Sequence, residues 1–199
     1  MSVGAGPRDA ILAESALCYE WQSPEDLKDR SDRLNALLHW RGNPAQEFRE
    51  AYIASRFAIM RGAAWVRLLT PGATPTPDFE MQIGADVLRY ETTEASIPEA
   101  LNPASQQASG VIFTTLVRLT ESIGQVSAKK ATKPYIQCRG LVIYLSAPPF
   151  FFNPTERWTL LLDASCAAAI AFREVWIVRD LTKGALLWQD GQAQPEAEF

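Results

Sequence analysis

The sequence predicts a mixed α/β domain, and three observations carry that reading. Residues 78–83 (DFEMQI) and 87–94 (VLRYETTE) alternate polar and apolar with period two, as half-buried strands do. Residues 140–146 (GLVIYLS) form a continuous apolar run bounded by turn signals, the pattern of a strand buried on both faces. Residues 43–61 and 104–130 instead place apolar side chains at helical spacing.

Taken in order, residues 1–42 read as a helical arm. Ser23-Pro24-Glu25-Asp26 is a helix start: a serine cap, proline at the first helical position and acids in the first turn. Leu27, Leu34, Leu37 and Leu38 mark its apolar stripe, and Gly42 ends it. Asn43-Pro44 opens a second helix to Arg61-Gly62, with Phe48, Tyr52, Phe57 and Met60 on one face. Residues 63–69 (AAWVRLL) are strand-like, and the loop TPGATPTP leads to the two alternating runs. A loop bracketed by Pro98 and Pro103 precedes the long helix of residues 104–130, whose stripe is Ile112, Leu116, Leu119, Ile123 and Val126. After the strand at 140–146 and the loop APPFFFNP, a helix spans residues 155–172. Residues 174–179 and 185–189 close the domain as two strands around Thr182-Lys183-Gly184. The α/β domain therefore covers residues 43–190, and residues 191–199 form a polar, frayed tail.

Composition narrows the chemistry. The 199 residues carry a net charge of −4, which disfavours broad electrostatic attraction to nucleic acid. One histidine, His39, excludes sites built from several histidines; it reads as a helix-end or partly buried ring. Cys18, Cys138 and Cys166 are far apart and odd in number, so no disulfide framework or CxxC zinc site is legible, and a reducing cytoplasm is the expected location. The most apolar stretch, Trp158 to Phe172, contains Asp163 and is shorter than the roughly 18 residues of a membrane span. No Walker loop, Rossmann glycine fingerprint or G-x-S-x-G elbow occurs, and Ser127-x-x-Lys130 lacks the companion motifs of a serine acylase.

The informative chemistry lies on the hairpin. A two-residue Gly84-Ala85 turn with glycine first suits type II′ geometry. Ile83 then pairs with Asp86, Met81 with Leu88 and Phe79 with Tyr90, which gives an apolar face. On the other face Glu80 opposes Arg89 and Asp78 opposes Glu91. Two carboxylates side by side repel, and a divalent cation such as Mg²⁺ offsets them, with the backbone carbonyl of Thr92 as a third ligand. Such a site activates water and neutralises charge in phosphodiester hydrolysis. A three-residue turn would separate the two acids, and scattered acids at a solvated hairpin end are the plain alternative.

Pro77-Asp78, a hairpin, then Glu91-x-Thr93 resembles the PD-(D/E)XK nuclease motif. The order helix, three-stranded meander, helix, strand over residues 44–146 resembles the restriction-endonuclease-like core of that superfamily. The resemblance implies a nuclease acting on nucleic acid, with DNA the favoured substrate and Mg²⁺ or Mn²⁺ as cofactor. Asp78 and Glu91 would be its metal ligands, and Glu50, or else Glu47, the glutamate of the preceding helix. The motif lysine is replaced by Thr93, which supplies no positive charge to the transition state. In some members a basic residue from the next helix substitutes; here that would be Lys129 or Lys130. The alternative is a catalytically inactive nuclease-like module that acts through protein or nucleic-acid contacts.

Residues 118–139 carry five basic groups (Arg118, Lys129, Lys130, Lys133, Arg139) against Glu121 alone, a local segment that could contact phosphates or simply end a helix. Phe150-Phe151-Phe152 ordinarily caps a core; stacking on bases or a homodimer contact is the functional alternative.

Overall fold

Helix α2 (Pro24–Leu38) begins as its sequence dictates. The Ser23 hydroxyl oxygen accepts the Asp26 N–H (3.1 Å) and donates to the Asp26 carboxylate (2.7 Å), closing the first turn. The structure, a computed structural model, describes residues 7–38, 46–96, 109–146, 154–179 and 183–197. It divides into two compact units, residues 1–90 and 91–199.

The first unit holds α1 (Pro7–Leu17), α2, α3 (Gln46–Met60), β1 (Trp65–Leu68), β2 (Phe79–Ile83) and the first half of β3 (Asp86–Ser96). The three strands form an antiparallel meander. The hairpin register is the expected one, from Ile83↔Asp86 through Met81↔Leu88 and Glu80↔Arg89 to Phe79↔Tyr90. Gly84 sits at φ 60° while Ala85 keeps a negative φ, as a type II′ turn requires. The core face is aromatic: Phe79 and Tyr90 stack at 5.7 Å, and Phe57 of α3 meets Tyr90 edge-on at 5.0 Å.

The stripe expected on α3 is only partly right. Phe57 is fully buried, but Phe48, Tyr52 and Met60 are half-buried, and Ala51, Ala54 and Ala58 fill the inner face. Alanines let the helix lie close on the sheet, a role that a scan for large apolar residues overlooks. Leu27 and Leu34 of α2 are buried, and α2 packs on α3 and β1. Leu68 and Val66 donate N–H bonds to Cys18 and Gln22, both at 2.9 Å, so the segment after α1 also lines β1. The helices read as an arm thus share the first unit's core.

The second unit holds the rest of β3, α4 (Ser109–Ala131), β4 (Gly140–Ser146), α5 (Pro154–Ala171), β5 (Glu174–Val178), β6 (Gly184–Gln189) and β7 (Gln192–Ala193). β4 and β5 are parallel and joined through α5, whereas β5, β6 and β7 run antiparallel, so the sheet is mixed. Leu119 and Ile123 of α4, Leu141 and Ile143 of β4, Leu161 of α5 and Val175 of β5 meet in one core. β4 is buried along Gly140–Ile143, as its unbroken apolar run demands.

The expectation of a frayed end needs correction. Asp190 (φ 49°) and Gly191 (φ 78°) make a two-residue turn that returns β7 onto β6, and Trp158 donates its indole N–H to the Gln194 carbonyl (3.1 Å). His39, Gly42, Asn43-Pro44, Pro98, Pro103, Phe150–Phe152 and Thr182 lie outside the described residues, as do the side chains of Leu37, Leu38, Glu47, Ile112 and Leu116. No described helix is long and apolar enough to cross a membrane.

Candidate functional site

Glu91 lies in β3 of the second unit and is 2% exposed. A carboxylate at that depth needs partners, because desolvation penalises its charge. Two arrive at the same oxygen, Oε1. One is the ammonium of Lys130, from the last turn of α4. The other is the Tyr135 hydroxyl, which donates at 2.6 Å. The chain after α4 explains why both reach: Lys133 donates its N–H to the Lys130 carbonyl (3.2 Å) and Tyr135 to that of Lys133 (2.9 Å), a tight return that brings Tyr135 back beside the helix end. The Tyr135 ring then rests against Phe172 at 5.8 Å. Charge-assisted hydrogen bonds of this kind are roughly twice as strong as neutral ones.

The sequence named Lys129 and Lys130 together; the structure brings Lys130 to Glu91 and leaves Lys129 exposed. Thr92, offered as a backbone ligand, is buried next to Glu91 in the chain. Tyr135 was missed. Its only sequence signal is a tyrosine just past a basic helix end, which does not announce a partner 44 residues earlier.

Asp78 and Glu50 belong to the first unit. Asp78, expected as the first residue of a strand, precedes β2 by one position, yet its backbone is fixed on both sides: its N–H donates to the Tyr90 carbonyl (3.1 Å) and its carbonyl accepts from Leu69 (2.8 Å). Its side chain is half-buried, as is that of Glu50 on α3. Among the described residues no group of three or more His, Cys, Asp or Glu is gathered as a metal site. Carboxylate oxygens and a backbone carbonyl are donors of the kind Mg²⁺ takes, and the Glu91 carboxylate is ion-paired with Lys130.

Two further ion clusters set the electrostatics. In the first unit Glu80 is 2% exposed and accepts from Arg67 (2.6 and 2.8 Å) and Arg89 (2.9 Å). Burial alone would raise its pKa, but the hydrogen bonds and charges of Arg89 and Arg67 outweigh that and hold it below the ordinary value. The sequence foresaw Arg89 and missed Arg67. In the second unit Arg139 donates to Glu174 (2.7 Å), which also accepts the Trp176 indole N–H (2.9 Å). Two of the five basic groups in residues 118–139 thus serve internal pairs; Arg118, Lys129 and Lys133 are exposed.

Comparison with protein-family models, with curated proteins and with solved structures finds no significant match to this chain.

Proposed function

We propose that this chain is a metal-dependent nuclease-like hydrolase of nucleic-acid phosphodiesters, acting on DNA in the cytoplasm, with a lysine supplied by helix α4 in place of the motif lysine. The observation that carries this reading is the Lys130–Glu91 pair: an amine held against the acid that the resemblance assigns to the metal. Glu91 and the Thr92 carbonyl would hold Mg²⁺ or Mn²⁺ in the second unit, and the resemblance further assigns Asp78 and Glu50 as ligands. The bound ion would supply Lewis-acid neutralisation of phosphate charge and a more acidic water. Lys130 would hold positive charge beside the scissile phosphate, and Tyr135 would fix the Glu91 carboxylate in orientation.

One observation favours a second reading, the inactive module. Lys130 and Tyr135 already compensate Glu91, so its burial needs no metal. Plasmid cleavage in Mg²⁺ or Mn²⁺ separates the two. The nuclease reading expects wild type to nick or linearise DNA, and Asp78→Ala and Lys130→Gln each to lose about 100-fold or more, the usual scale for removing one electrostatic stabiliser. Folded wild type that leaves DNA and RNA intact establishes the inactive module. Cleavage by wild type and Asp78→Ala at equal rates refutes the assigned site.

A further inference from the structure

The outer face of the β1–β2–β3 meander carries an unusual set of side chains. Register places Trp65, Gln82 and Val87 in one cross-strand row, and Arg67, Glu80 and Arg89 in the next. Trp65 is 48% exposed and Val87 50%. Trp21, 37% exposed, lies beside the arginine row with the Arg67 guanidinium 4.7 Å from its ring centroid. Tryptophan normally buries most of its surface, so an indole left half open on a sheet face calls for an explanation.

The arginine row is preorganised. Glu80, at the centre, is buried beneath two arginines whose side chains keep about a third of their surface in solvent. Arg67 uses two of its five N–H donors on Glu80 and stacks on Trp21. Two cations over one buried anion leave the row net positive on its solvent side, in a chain whose total charge is −4. The row that carries Trp65 lies two residues further along the strands, about 7 Å away. That is the scale of one nucleotide, with a base on one row and its phosphate on the other.

We propose that this face binds single-stranded nucleic acid, with Trp65 stacking a base and Arg67 and Arg89 contacting phosphates. Every base has a π-face, so such a platform is tolerant of sequence, and guanidinium groups match phosphate oxygens. The inference extends the nucleic-acid reading above by naming the bound form, and binding alone tests it, so its failure and the failure of cleavage are separate results.

The experiment is fluorescence anisotropy at low salt with labelled oligo(dT) and oligo(U) of about 12 nucleotides, within the site size of single-strand binders, and with a duplex of equal length. Wild type should bind a single strand more tightly than duplex, with affinity falling as salt rises. Trp65→Ala should weaken binding by about 5-fold or more, Trp65→Phe should retain most of it, and Ile170→Ala, at a residue 91% exposed on α5, should change nothing. The proposal fails if neither single strand binds, if duplex binds as well as single strands, or if Trp65→Ala binds like wild type. Self-association that Trp65→Ala abolishes, without oligonucleotide binding, would assign the face to a second copy of the chain and also overturn it.

Discussion

Lys130, in the last turn of α4, is ion-paired with Glu91, a β3 residue that is almost wholly buried. The lysine is itself largely covered, with 17% of its side chain exposed. A cation at a helix C-terminus also meets the negative end of the helix dipole, so Lys130 is held from two directions. The pair ties the end of the second unit's long helix to its first strand.

Removing one partner of such a pair costs more than removing both. Lys130→Met leaves Glu91 buried without its ammonium partner, and should destabilise the fold by about 3 kcal/mol. Glu91→Gln combined with Lys130→Met should recover a large part of that loss. Urea unfolding of the four proteins in the cycle checks this. If the double variant is as unstable as the sum of the singles, the two residues are not coupled.

Tyr135→Phe isolates the hydroxyl. The ring keeps its place against Phe172, while Glu91 loses a hydrogen bond of 2.6 Å to a charged oxygen. A cost of about 1.5–3 kcal/mol is expected. Tyr135→Leu should cost more, because it removes the aromatic contact as well. Equal stability of wild type and Tyr135→Phe would mean that water replaces the phenol without loss.

The hairpin was the most legible part of the fold. Period-two alternation and a glycine-first two-residue turn point to one register, and every pair from Ile83↔Asp86 to Phe79↔Tyr90 follows it. β4 was legible for a similar reason: a strand buried on both faces has no polar positions to disguise it. α3 was less so, because its inner face is lined by alanines that composition alone does not assign to a core. β7 was overlooked although Asp190-Gly191 is a strong hairpin dipeptide; the strand beyond it has two residues, too short for a period to register. The site split in the same way. Lys130 was named, together with Lys129, because the resemblance points to a basic residue near the end of the next helix, whereas Tyr135 and Arg67 reach their glutamates through tertiary contacts with no local pattern.

Acid should act on the first unit partly through Glu80. Its pKa is depressed in the folded chain relative to an ordinary value of 4.5, so it binds a proton less readily folded than unfolded. The stabilisation is therefore complete above the unfolded value, and disappears as pH falls below about 4.5 through the depressed folded value. Glu80→Gln removes the dependence. The stability difference between wild type and Glu80→Gln should be constant near neutral pH and shrink on acidification. A difference unchanged down to the acid transition would contradict the paired-carboxylate account.

The basic stretch at residues 118–139 offers the last test, because the structure divides it by role. Arg139 donates to Glu174, a β5 residue that is 4% exposed and also accepts from Trp176. Arg139→Met should destabilise the second unit by about 3 kcal/mol, since the carboxylate stays buried with the indole donor but without its cation. Lys129 and Lys133 are exposed, and replacing both with alanine should change stability by less than about 0.5 kcal/mol. If those lysines meet phosphates, the same double variant should reduce the salt dependence of nucleic-acid binding by about two phosphate contacts. Thermal or urea unfolding, run beside a salt titration of oligonucleotide binding, reads both roles. Loss of stability in the lysine variant, or none in Arg139→Met, would show that the basic residues had been divided wrongly.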